Sequence, residues 1–246
     1  MVNLYYAKLQ NRMPGRLSEL AWRLCIYAVR RELFPQNSKA DAIIQLDDLI
    51  YRDKRDRLIG RGECGKPYVK QELLRAAGTA RPWFFNLSHS GEYAICATAH
   101  AEIGCDIQRI SSERKRLAEQ FFHESERHYI EQIPDAPYNG TNPAQEERDR
   151  RFTRVWTMRE SYAKMTGEGI GIMKDFYIDF SGGVSCVCRR RSARNESADV
   201  TFAKTAAFFY QAGIDQGYSC TICCENSAIF GLSIPCFNMT GMIEYN

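Results

Sequence analysis

The sequence predicts an α+β fold, and three patterns carry that prediction. Residues 16–34 place Leu17, Leu20, Ala21, Leu24, Cys25 and Ala28 at helical spacing, and residues 151–165 repeat the pattern with Phe152, Val155 and Trp156. Between them, the runs 84–87, 93–98 and 102–108 have strand length and are separated by turn residues. Beyond Gly167 the chain is strand-rich, with runs at 176–180, 184–188, 202–210, 217–224 and 229–234. Helices and strands therefore mix without a regular βαβ alternation, which is the pattern of an α+β domain.

In chain order, residues 2–9 read as an opening strand and 16–34 as an amphipathic helix facing a core. The basic segment 52–70 ends in Gly62-Glu63-Cys64-Gly65-Lys66-Pro67-Tyr68, whose glycines and proline predict a loop that presents Lys66 on irregular backbone. Ser88-His89-Ser90 is expected on a polar turn after the strand 84–87. A helix is expected at 117–132 and a loop at 134–149, where two prolines and an Asn-Gly disfavour regular structure. The helix 151–165 should stop at Gly167, and 189–199 should be a charged loop. No internal repeat is evident, although two runs of comparable element order meet near 108–112.

Length and composition narrow the function classes. A chain of 246 residues can bury a large core, and 44% hydrophobic with 26% charged residues is ordinary for a soluble globular protein. A net charge of +3 argues for neither a nucleic-acid nor a membrane partner, and is compatible with a local basic pocket for an anion. No window approaches the ~20 continuous apolar residues of a membrane span, and residues 1–17 lack a signal-peptide pattern. The ten cysteines are scattered through the chain, so reduced thiols in a cytoplasmic protein are expected. Cys220-x-x-Cys223 with Cys186 and Cys188 has zinc-ligand spacing, but both segments read as apolar strands in which cysteine packs as a small hydrophobe.

Two local patterns carry chemistry. In 102–108 the alternation of Ile103, Cys105 and Ile107 with Gly104, Asp106 and Gln108 puts the acid and the amide on one strand face. Pointed into a cleft, their oxygens suit a hard cation; pointed at solvent, they are simply a wetted face. In 151–165, Glu160 and Lys164 sit one turn apart, which is either an ordinary surface pair or a carboxylate and an ammonium presented together.

Taken in order, Gly65-Lys66-Pro67, Asn86-Leu87-Ser88-His89-Ser90, Gly104-Cys105-Asp106-Ile107, Phe121-Phe122 with Glu126, and Trp156-Thr157-Met158-Arg159-Glu160-Ser161-Tyr162-Ala163-Lys164 resemble the 4′-phosphopantetheinyl transferase superfamily, in its larger surfactin-synthetase-activating class. The resemblance covers residues 65–169. It implies two similar α+β halves related by a pseudo-twofold, 1–110 and 111–246, with the active site in the cleft between them. It implies transfer of the phosphopantetheine arm of coenzyme A to a serine of an apo acyl or peptidyl carrier protein, by a monomer that uses Mg²⁺. Asp106, Gln108 and Glu160 would then be metal ligands, and Lys66, Ser88, His89 and Lys164 would contact coenzyme A. Glu160 and Lys164 would be catalytic, with Glu126 a second candidate for the base. The alternative is an inactive domain that binds coenzyme A or a carrier protein. One departure stands out: the larger class carries Asp-Ile-Glu where this chain has Asp106-Ile107-Gln108. Arg16, Arg23, Arg30 and Arg31 are the basic residues of the first helix available to grip the nucleotide.

Overall fold

A computed structural model describes residues 1–9, 16–34, 55–111, 120–133, 143–182, 185–190, 201–225 and 233–242. Strand β1 (Asn3–Lys8) runs inside a four-stranded sheet, parallel to β12 (Cys236–Asn238) and antiparallel to β5 (Tyr93–Ala99), with β4 (Phe84–Ser90) beyond β5. Helix α1 (Arg16–Leu33) lies on this sheet and buries Leu20, Leu24, Cys25 and Ala28 against Tyr5, Trp83, Phe85 and Cys96. Its Glu32 carboxylate is held by Asn3, Tyr5, Trp83 and Thr98, with donor distances of 2.6 to 2.9 Å.

A second sheet has the order β10 (Phe208–Gln211), β11 (Tyr218–Cys224), β6 (Ile103–Arg109). Its Ile103, Cys105, Ile107 and Ile222 share a core with Leu4, Ile95 and Ala97 of the first sheet. β4 and β6 are neighbours, and side chains join them: Asn86 Oδ1, Ser88 Oγ and Ser90 Oγ accept from the backbone N–H groups of Cys105, Ile107 and Arg109 at 3.0, 3.4 and 3.1 Å. Alternate residues of one strand thus satisfy the donors of the other, as buried backbone groups require.

The long helix α4 (Pro143–Thr166) crosses the second sheet on β6 and β11. Gly104 permits the close approach, since a Cβ there would run into the Ser161 carbonyl oxygen and the Met165 nitrogen. A third sheet, β7 (Phe176–Asp179), β8 (Cys186–Arg190), β9 (Phe202–Thr205), packs Phe176, Ile178 and Val187 on Met158 and Tyr162 of α4. Helix α3 (Glu124–Glu131) sits beside α4, and its Glu126 is wholly buried. A small hairpin, β2 (Ile59–Arg61) and β3 (Pro67–Val69), with the short helix α2 (Gln71–Ala76), borders the first sheet.

The α+β class holds, and several element boundaries differ from expectation. Ser88-His89-Ser90 belongs to β4 and the turn falls at Gly91, because the backbone ladder to β5 runs on through Ser90 and Tyr93. The segment expected to be a loop through Asp149 is helical from Pro143: proline is tolerated in a first turn, and Gln145–Asp149 and Glu147–Arg151 contacts one turn apart support it. The expected strand 202–210 is two strands in different sheets. Most of the expected strand 229–234 lies outside the described residues, as do 117–119 of the expected helix 117–132 and 191–199 of the expected charged loop; the last strand instead starts at Cys236. β6, ahead of the proposed boundary at 110, pairs with β11, while β12 returns to pair with β1. All ten cysteines are free thiols, and among the described residues no helix is long and apolar enough to cross a membrane.

Candidate active site

Asp106 is where the two sheets and α4 converge. The polar face of β6 turns under the helix, so Asp106 is 1% exposed and far from a wetted face. Its Oδ1 accepts from Lys164 Nζ at 2.6 Å and from Ser88 Oγ at 2.7 Å, and its Oδ2 from Gln108 Nε2 at 3.1 Å. Ser88 Oγ also accepts from Lys164 Nζ at 3.1 Å and from Ile107 N, so its one donor and two lone pairs are all used. Burial, the largest single influence, would lower the Lys164 pKa, but the charge of Asp106, the hydrogen bond to it, and the charges of Cys105 and Glu160 together outweigh burial and hold the ammonium above its ordinary value. Beneath the site, Thr157 Oγ1 meets Thr221 Oγ1 at 2.7 Å and Ser219 Oγ at 3.0 Å, which pins α4 to β11.

These residues form the floor of a cavity of about 960 Å³. Glu160 and Lys164 of α4, Ser88 and His89 of β4, and Asp106 and Gln108 of β6 all line it, so the structure brings these six predicted residues together. Lys66 also lines it, and its ammonium is tied to the Met165 carbonyl and to Glu102. His89 is exposed; loss of water around the ring, then the Lys164 ammonium, hold its pKa below the histidine value of 6.5 against an upward pull from Asp106.

Glu126 does not belong to this group, which corrects its place as a candidate base. Both its oxygens accept from Arg159 Nη1 at 2.8 Å, and it also accepts from the backbone nitrogens of His123 and Ile178 at 2.8 Å. A carboxylate with no exposure and four charge-assisted or backbone hydrogen bonds is committed to holding α3, α4 and β7 together. Gln108 is in the cavity, but its amide nitrogen faces Asp106 while its oxygen accepts from Ser90 at 3.4 Å. In this arrangement the amide donates a hydrogen bond to Asp106 rather than adding an oxygen ligand beside it.

The model of the 4′-phosphopantetheinyl transferase superfamily matches residues 102–223, the stretch that supplies Asp106, Gln108, Glu160 and Lys164. The chain is 31% identical over 178 residues to the 4′-phosphopantetheinyl transferase gsp of Aneurinibacillus migulanus, covering 72% of this chain and 62% of that protein. The chain belongs to the 4′-phosphopantetheinyl transferase superfamily. It is also 26% identical over 171 residues to the 4′-phosphopantetheinyl transferase Sfp of Bacillus subtilis, covering 70% of this chain and 64% of that one. To the 4′-phosphopantetheinyl transferase HetI of a Nostoc species it is 35% identical over 117 residues, 46% and 43% of the two chains. The chain thus spans less than two thirds of the length of each of these relatives.

Some features of this superfamily member's site escape a reading of the sequence. The basic wall of the cavity comes from Arg55 and Arg61, while Arg16, Arg23, Arg30 and Arg31 do not line it. Arg55 lies over Trp22 of α1, 3.7 Å from the ring centroid, a cation–π contact that fixes the guanidinium at the cavity edge. The basic run ahead of Gly60 was the available signal, but nothing local says that it folds back onto Trp22. Asn86 and Ser90 were likewise legible as motif letters and not as the seam between two sheets.

Proposed function

We propose that this chain transfers the 4′-phosphopantetheine moiety of coenzyme A to a serine of an apo acyl or peptidyl carrier protein, giving holo-carrier and adenosine 3′,5′-bisphosphate. One observation carries the reading: a buried carboxylate, Asp106, held by Lys164 and Ser88 on the floor of a cavity that also holds Glu160 and a cationic wall of Arg55, Arg61 and Lys66. The volume, about 960 Å³, is near the upper end of the ~300–1,000 Å³ range for small-molecule sites, as a coenzyme of this size needs.

The donors fit Mg²⁺. Asp106, Glu160 and, after rotation of its amide, Gln108 offer oxygen atoms only, the set that suits a hard divalent ion shared with substrate phosphates. When bound, Mg²⁺ neutralises the diphosphate and polarises the reacting phosphorus. The chain's own residues supply the rest. Glu160 accepts the proton of the carrier serine as its oxygen bonds to phosphorus, and Lys164 donates to the phosphate that departs with the nucleotide. His89 and Lys66 contact the 3′-phosphate side of the nucleotide, and Ser88 lies beside them, holding Asp106 and Lys164 in place. Catalysis is positioning and electrostatics, as in other phosphoryl-type transfers. The two halves, 1–110 and 111–246, are proposed to be related by a pseudo-twofold and to act as a monomer in the cytoplasm.

Intact-mass measurement of an apo carrier incubated with coenzyme A and Mg²⁺ tests this. The added mass of phosphopantetheine is the expected outcome; binding of coenzyme A with no mass added to a panel of acyl and peptidyl carriers establishes the inactive alternative. Gln108→Glu should lower the Mg²⁺ concentration needed for half-maximal transfer, since a second carboxylate beside Asp106 calls for a cation; an unchanged Mg²⁺ dependence removes Gln108 from the proposed ligand set.

A further inference from the structure

The outer face of the β7–β8–β9 sheet carries a group of side chains that the transfer reaction does not use. Strand alternation sends Ile178 and Val187 into the core and leaves Asp179, Cys186 and Cys188 together on the other face. Asp179 stands directly across from Cys186, and Cys188 follows two residues later on the same strand face. An Asp179 carboxylate oxygen and the two Sγ atoms all lie within 4.8 Å of one another, with Cys186 Sγ 3.8 Å from Asp179 Oδ2. Ligand atoms on a tetrahedral zinc are about 3.5–3.8 Å apart, given bonds of ~2.3 Å to sulfur and ~2.0–2.2 Å to oxygen. The triangle therefore needs to contract by about 1 Å, within reach of small side-chain rotations.

We propose that Asp179, Cys186 and Cys188 bind a divalent cation of the zinc class across strands β7 and β8. Two thiols and one carboxylate select a borderline-soft ion and discriminate against Mg²⁺. The site is thereby chemically distinct from the all-oxygen set around Asp106, and none of its residues lines the large cavity. Three protein ligands leave a fourth position to water, and each thiol gives its proton to solvent on coordination. Lys204, 3.7 Å from Asp179, is the charge that the cation displaces, and its side chain is 70% exposed, free to swing into water. The bound ion fastens β8 to the strand whose Ile178 N–H holds Glu126 and, through it, Arg159, next to Glu160.

The test uses the full chain, reduced, stripped with a chelator and freed of it, and titrated with Zn²⁺ against a chromophoric competitor. One equivalent should bind with a dissociation constant of about 1 μM or below, and Co²⁺ should give thiolate-to-metal charge-transfer absorption. Cys186→Ser/Cys188→Ser should weaken binding at least about 100-fold, and Asp179→Asn should weaken it while leaving cooperative thermal unfolding in place. Cys64→Ser/Cys236→Ser, which removes the two exposed thiols, and Asp106→Ala should both keep the equivalent. The proposal is overturned if the wild type takes up no zinc in this range, or if the equivalent survives in Cys186→Ser/Cys188→Ser or in Asp179→Asn. Should the double variant fail to fold, Asp179→Asn decides. None of these results depends on whether the chain transfers phosphopantetheine.

Discussion

The Ser88 hydroxyl works in two places at once: it satisfies the Ile107 N–H at the seam between β4 and β6, and it fixes Asp106 and Lys164 with its remaining bonds. Ser88→Ala should cost about 1–3 kcal/mol of stability, from a buried N–H left without a partner, and should lower the transfer rate more than coenzyme A affinity. Chemical denaturation with steady-state kinetics measures both. His89 gives the pH dependence. Its folded pKa lies below 6.5, so above that value it is neutral in both folded and unfolded states and costs nothing; as pH falls below 6.5 the unfolded chain gains the proton first and stability declines. A bound 3′-phosphate reverses the preference and favours the imidazolium. Coenzyme A binding near pH 6.5 should therefore take up protons, and His89→Gln should remove that uptake, as calorimetry in buffers of different ionisation enthalpy will read.

At the scale of elements, the site exists because α4 lies close on β6, and Gly104 is the residue that allows it. Gly104→Ala forces the helix away from the strand. Overpacking of this kind costs about 1–3 kcal/mol or more, and transfer should fall by at least about 10-fold, since a misplacement of 1 Å has large kinetic consequences. Unchanged stability in thermal unfolding would refute this role. The helix itself was legible from 151 onward, because Phe152, Val155 and Trp156 set its period. Its first turns were not, since Pro143 and the charged residues after it carry no apolar stripe and are helical through contacts one turn apart. For β4 the error ran the other way: Ser88-His89-Ser90 looks like a turn in isolation, and its pairing with Tyr93, Ala94 and Ile95 of β5 makes it a strand.

Across the whole molecule, distant pairings decide where the motif residues meet. The face of Asp106 and Gln108 could be read from a period of two, and the face of Glu160 and Lys164 from helical spacing. Neither period says that β6 pairs with β11 or that α4 covers it, so a buried site and a wetted strand face looked alike. Glu126 shows the same limit: its motif position suggested chemistry, while its partner Arg159, also wholly buried, makes it a structural node. Glu126→Ala should cost about 3–5 kcal/mol, because it strands the Arg159 charge in the interior; a loss below about 1 kcal/mol in denaturant unfolding would show that the pair is not the anchor of α3, α4 and β7. The central claim is that Asp106 and Glu160 from the two sides of this cavity act together on coenzyme A. The direct measurement is the rate at which phosphopantetheine mass appears on an apo carrier with saturating coenzyme A and Mg²⁺, for wild type, Asp106→Ala and Glu160→Ala. A loss of about 10²-fold or more in each folded variant is predicted, and near-wild-type transfer by either one contradicts the account.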